Sequence, residues 1–127
     1  MMRDSDEPLD AAVDFERLRT VTGGDVELVR ELVDTYVEDT EQRMCRLDQA
    51  IQSGVAAEVR IEAHSIKGAS ANMGADAVRD IAFRIEQMGA QESLDEASSA
   101  LGQLRARFAV ARDLFEKYAD SEGKPGA

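Results

Sequence analysis

The stretch EAHSIKGASANMGA, residues 62–75, places an imidazole, an ammonium and a residue without a side chain close together. His64 is the only histidine of the chain, Lys67 follows three residues later, and Gly68 comes next. A neutral imidazole, with an ordinary pKa of about 6.5, is a nucleophile near physiological pH. One helical turn away, Lys67 can reach an anion attached to the ring. Gly68 costs a helix interior about 1 kcal/mol relative to alanine. In return it leaves the ring uncovered and lets another surface come close. Together these residues suit a histidine that carries a phosphoryl group. The plain alternative is a surface histidine beside ordinary helix residues, with a glycine that serves helix packing, and spacing alone leaves both readings open.

The helix around His64 gives this stretch a direction. At about 100° per residue, Val55, Val59, Ala63, Ile66 and Met73 gather on one side and form a core stripe. His64 falls nearly opposite, so it is predicted to be exposed. Ala57, Arg60, Ile61, Lys67, Gly68 and Ala71 share its face. An ordinary solvent face would be long and charged, whereas this one has small residues around the histidine, with two cations beside it.

Other apolar stripes define the elements that must hold this helix. DAAVDFERLRTVTGG offers a short helix anchored by Phe15 and Leu18 and stopped at Gly23 and Gly24. Asp25 is an N-cap for a long helix, whose stripe is Val26, Val29, Val33, Tyr36, Val37, Met44, Leu47 and Ile51, ending near Gly54. Val78, Ile81, Ala82, Ile85 and Met88 mark a shorter helix that ends at Gly89. Leu94, Ala97, Leu101, Leu104, Phe108, Ala111, Phe115 and Tyr118 mark the last helix, with Ser93 and Glu96 as a capping box. Short loops favour antiparallel neighbours. The expected fold is therefore all-α, an antiparallel up-down four-helix bundle with a short extra N-terminal helix. It spans residues 10–120, between a flexible acidic tail at 1–9 and a flexible tail at 121–127.

Composition narrows the function classes. The 127 residues suit one domain, and both prolines, Pro8 and Pro125, lie near the ends. A net charge of −11 argues against nucleic acid and against an anionic membrane surface as partners. No apolar run approaches the roughly 20 residues of a membrane helix. The first residues, MMRDSDEPLD, lack the apolar core of a signal peptide. The single Cys45 cannot pair internally, and a reduced, cytoplasmic protein is expected. One cysteine and one histidine make no metal site, so no cofactor bound by this chain is expected. Met44, Met73 and Met88 read as core filler, and the acidic residues as solvated helix faces.

AHSIKGASANMGA resembles the signature of the histidine-containing phosphotransfer (HPt) domain, loosely His-x-x-Lys-Gly followed by small residues and a second glycine about six positions on. His64, Lys67, Gly68 and Gly74 match that pattern. FRIEQMGAQESLDEA is similar to the family's next helix and turn, and the likeness covers roughly residues 12–119. The resemblance implies a phosphocarrier, not an enzyme with its own ATP site. Such a carrier relays phosphoryl groups between aspartates of response-regulator receiver domains in a two-component phosphorelay fed by a histidine kinase or hybrid kinase. By the same resemblance His64 is phosphorylated at Nε2 and Lys67 supports the phosphoryl group. Gly68 gives clearance, and Ala57, Arg60, Ile61 and Ala71 join the docking surface. Glu86 or Gln87 on the next helix would orient the imidazole. Mg²⁺ is expected on the partner receiver domain, and a monomer is expected.

Three other readings are weighed against this one. In the phosphoacceptor helix pair of a histidine kinase, the histidine is followed by an acidic residue and then a proline, and HSIKGAS has neither. A module excised from a larger hybrid or chemotaxis kinase would carry the same motif. The initiator methionine and loose tails favour a free-standing protein. A helical adaptor that transfers nothing would tolerate replacement of His64.

Overall fold

Two aspartates start the first two helices. Asp14 accepts hydrogen bonds from the backbone N–H of Glu16 and Arg17, and Asp25 does the same for Glu27 and Leu28. Each satisfies donors that the first helical turn leaves without partners. The computed structural model describes residues 13–122. Its helices are α1 (Phe15–Thr22), α2 (Val26–Ser53), α3 (Ala56–Met73), α4 (Asp76–Ala90) and α5 (Ala97–Glu122). No strand occurs among the described residues. The stretch at 1–9 lies outside them, whereas α5 continues through Ser121 and Glu122, two residues into the stretch read as a tail.

Helices α2 to α5 form an antiparallel ring in which each packs on its chain neighbours and α5 closes back onto α2. The expected four-helix bundle is the observed one, with α1 as the extra helix against α2 and α3. The core holds Leu18, Leu47, Ile66, Ile81, Ile85, Leu104 and Phe115, all fully buried. Each such side chain contributes roughly 1.5–3 kcal/mol over its exposed state.

Three details differ from the pattern read in the sequence. Val26 and Val55 continue the apolar stripes but are exposed, at 42% and 43%. Val26 opens α2 and Val55 is the N-cap residue of α3, so both lie at helix starts beyond the packed layer. Ser93 does not cap α5. Its N–H closes the end of α4 by donating to the Met88 carbonyl at 2.9 Å, beside Glu92 in the left-handed region at φ 55°. Gly89 is the penultimate residue of α4, which ends at Ala90, but it is no left-handed cap: it is buried against α3. A Cβ at Gly89 would stand 2.7 Å from the Arg60 nitrogen and 2.8 Å from the Ala56 carbonyl oxygen. Only glycine lets the two backbones come this close, and α3 and α4 are the most intimately packed pair in the bundle.

Helix α3 is also fixed at its far end and along its flank. Gly74 ends it at φ 83°, and its carbonyl accepts from the Asp14 N–H at 2.6 Å. A side chain at Gly74 would run into the Asp14 carbonyl. Arg17 donates to the Ala71 carbonyl at 2.6 Å, a cation at the negative end of the helix dipole. Inside the bundle the Tyr36 hydroxyl pairs with Ser70 Oγ at 2.7 Å, and burial pushes the Tyr36 pKa up to about 12. On the flank, Glu62 is held by Arg43 and Arg46 of α2 at 3.1 and 3.2 Å.

Two glycines then respond in opposite directions to alanine. A methyl at Gly89 overpacks the α3–α4 contact, and thermal unfolding of Gly89→Ala is expected to show a loss of about 1–3 kcal/mol. Gly68 faces open space. Gly68→Ala is expected to gain up to about 1 kcal/mol from helix propensity. A Gly89→Ala protein as stable as wild type would show that α4 is not held at this distance.

Candidate functional site

His64 stands on the outer face of α3 with 65% of its side chain exposed. Ala57, Arg60, Ile61 and Gly68 on the same face are exposed too, and Lys67 and Ala71 are half-buried. The Gly89 contact holds α4 against α3 one turn before His64. One turn back along α4, Glu86 then meets the imidazole. Its Oε2 lies 2.8 Å from His64 Nδ1. Its Oε1 lies 2.7 Å from the Lys67 ammonium. Oε1 is buried, and among the described residues the ammonium is its only close polar partner, an ion pair without good hydrogen-bond alignment.

The electrostatics of Glu86 decide which ring nitrogen is free. Burial pushes its carboxyl pKa up, but the close Lys67 ammonium and the hydrogen-bonded His64 ring outweigh burial and hold it below the ordinary carboxylate value. Glu86 is therefore ionised at neutral pH and can only accept a hydrogen bond. A neutral imidazole beside it carries its proton on Nδ1, which assigns the tautomer from the hydrogen bond. Nε2 is left with a lone pair. An oriented nucleophile on a rigid helix, with an acceptor that can stabilise positive charge on the ring, is what this arrangement offers chemically.

Of the two candidates for orienting the ring, Glu86 meets it and Gln87 does not. Gln87 is exposed, about 100° further round the helix. Lys67, expected to face a phosphoryl group, is held by Glu86 in the free protein. Its ammonium also lies 5.1 Å from the centre of the Phe83 ring. Phe83 is the residue that sequence reading missed, and its 45% exposure is large for an aromatic. The available signal was its place off the stripe of Val78, Ile81, Ala82 and Ile85, three residues before Glu86. Arg60 has no ion pair among the described residues. Among those residues no group of three or more His, Cys, Asp or Glu side chains could hold a metal ion.

Fold and site define a class: a small helical bundle that displays one oriented histidine on the outside of a helix. The chain belongs to the Hpt domain family, whose model matches residues 31–114. It is similar to the phosphorelay intermediate protein rdeA of Dictyostelium discoideum, 25% identical over 108 residues that make up 82% of this chain and 42% of that protein. It is also similar to the histidine-containing phosphotransfer protein 1 of Oryza sativa subsp. japonica, 26% identical over 92 residues, 71% of this chain and 63% of that one. The chain thus spans about half the length of these two relatives. The crystal structure of histidine-containing phosphotransfer protein B (HptB) from Pseudomonas aeruginosa PAO1 superposes with a TM-score of 0.82 at 31% identity, covering 87% of this chain and 96% of that one.

The tautomer assignment has a direct check. ¹⁵N chemical shifts of the neutral His64 ring are expected to show a protonated Nδ1 and a bare Nε2. In Glu86→Ala the two nitrogens are expected to move toward a common averaged value. Unchanged shifts in Glu86→Ala would mean that the carboxylate does not select the tautomer.

Proposed function

We propose that this chain is a histidine phosphotransfer protein that accepts a phosphoryl group from a receiver-domain aspartate and passes it to another, with His64 Nε2 as the carrier atom. The observation that carries this reading is the pairing of Nδ1 with ionised Glu86, which leaves Nε2 as the exposed nucleophile. Family membership supports it, since Hpt domains are carriers and not kinases or ATPases. In the forward step the Nε2 lone pair attacks phosphorus and an N–P bond forms. The bond from phosphorus to the aspartate oxygen breaks, and the carboxylate leaves with the electron pair. The ring, with its proton still on Nδ1, becomes a phosphoimidazolium whose positive charge faces Glu86. Hand-off to the next aspartate is the same step in reverse.

Little else is required of the chain. The receiver supplies the aspartate, and Mg²⁺ bound there supplies charge neutralisation at the phosphoryl oxygens. This chain orients the nucleophile, and docking brings nitrogen and phosphorus into line. Lys67 offsets Glu86 and, one turn from the ring, adds positive potential where the phosphoryl group arrives. Arg60, without an ion pair among the described residues, meets the acidic pocket of the partner. Ala57, Ile61 and Ala71 border the contact, and Gly68 leaves the clearance, since a Cβ there meets nothing within 4 Å. The donor is a histidine kinase or hybrid kinase acting through a receiver. One copy suffices, because α3 and α4 of a single chain build the whole site. No helix among the described residues is long and apolar enough to cross a membrane, and the proposed place of action is the cytoplasm.

The test is phosphoryl transfer from a panel of ³²P-labelled receiver domains. Wild type is expected to take label that is labile to acid and stable to alkali, as phosphohistidine is, and His64→Gln none. Gly68→Gln, which fills the clearing without touching the core, is expected to slow transfer at least tenfold while circular dichroism stays that of wild type. Label retained by His64→Gln would overturn the assignment. No label on a folded wild type would leave an adaptor role.

A further inference from the structure

Phe83 exposes nearly half of a large apolar ring, although the core stripe of α4 runs elsewhere. It shares a helix face with Glu86, three residues on, and that face looks toward α3. The same Lys67 ammonium touches both: it lies 2.7 Å from Glu86 Oε1 and 5.1 Å from the Phe83 ring centre. The Lys67 side chain is only 27% exposed, so most of it is packed against the protein where it reaches the carboxylate and the ring. A ring face attracts such a cation through its quadrupole, and the attraction grows as the cation is desolvated. Among the described residues Oε1 has no hydrogen-bond partner that would otherwise fix it.

We propose that Phe83 is a positioning residue of the His64 site: its ring face seats the Lys67 ammonium on Glu86 Oε1, so that Oε2 is presented to His64 Nδ1. The carboxylate is then clamped at both oxygens, and the imidazole inherits its orientation from a contact two side chains away. Without the ring the lysine stem keeps its rotamer freedom and occupies the Oε1 position for a smaller fraction of the time. The carboxylate can then turn, and Nε2 loses its fixed line of approach. An aliphatic residue of similar size covers the same surface but has no quadrupole. Tyrosine keeps the ring face. The consequence for transfer rests on the function proposed above, but the seating of Lys67 does not.

The experiment compares Phe83→Leu and Phe83→Tyr with wild type by two measurements. The first is a ¹³C NMR titration of the Glu86 carboxyl in the unphosphorylated protein. The charged groups that face this carboxyl are Lys67 and His64, both from α3. Phe83→Leu is expected to raise the Glu86 pKa, because burial still opposes ionisation while the Lys67 contact weakens. Phe83→Tyr is expected to restore the wild-type value. The second is transfer from a labelled receiver across a range of receiver concentrations. Phe83→Leu is expected to lower the saturating rate about two- to fivefold, the factor such a contact is worth. The half-saturating concentration should stay the same, and Phe83→Tyr should recover the rate. A Glu86 titration that Phe83→Leu does not move overturns the proposal. A raised half-saturating concentration in that case would make Phe83 a docking contact only. If wild type takes label from no receiver, the functional reading fails, and the titration alone still decides the seating of Lys67.

Discussion

A carboxylate taken out of water is costly unless charge and hydrogen bonds replace its hydration. Glu86 meets that condition by standing between Lys67 and His64, and the arrangement demands that two helices run unusually close. Gly89 supplies the distance, since any side chain there would strike the α3 backbone at Ala56 and Arg60. A loop-borne acid could drift by an ångström and lose the ring. One carried by a packed helix is held by the same contacts that hold the core.

The remainder of the bundle acts on α3 as a set of clamps. Tyr36 pins it from inside through Ser70, Arg43 and Arg46 hold Glu62 on its flank, and α1 closes its end through Asp14 and Arg17. The stacked pair Phe15 and Tyr118, with ring centres 4.9 Å apart, ties α1 in turn to α5. The short first helix thus fixes the end of the helix that carries His64.

The fold was legible in the sequence because amphipathic stripes and capping aspartates are local signals. The layout of the helices followed from periodicity and short loops, and the exposure of His64 from periodicity. What failed was also local. Val26 and Val55 extend a periodic pattern past the layer that buries it, and periodicity does not say where the neighbouring helix ends. Gly89 read as a helix stop because a glycine's reason for being there can lie on another helix. The partners of His64 were only half legible: the family resemblance pointed to Glu86 or Gln87 on the next helix, but which of the two met the ring depended on that helix's rotation. Phe83 showed in the sequence only as an aromatic off the core stripe, and its part in the site did not show for the same reason. Nothing within α4 shows that a cation from α3 lies over its ring.

His64 occupies a crest, flanked by exposed Ala57, Ile61 and Gly68, and that has a consequence for time as well as contact. Water reaches a group on this ring as freely as a partner does. In the proposed relay the phosphorylated carrier therefore keeps its cargo only by the intrinsic slowness of hydrolysis, without a shelter of its own. A dry reaction chamber arises only when a second surface closes over the crest, and it disappears when the two proteins part. The crest is thus a courier's open hand. What it carries must be delivered within the lifetime of an unprotected bond, and that lifetime sets how far, and to how many recipients, one phosphorylation event can be passed.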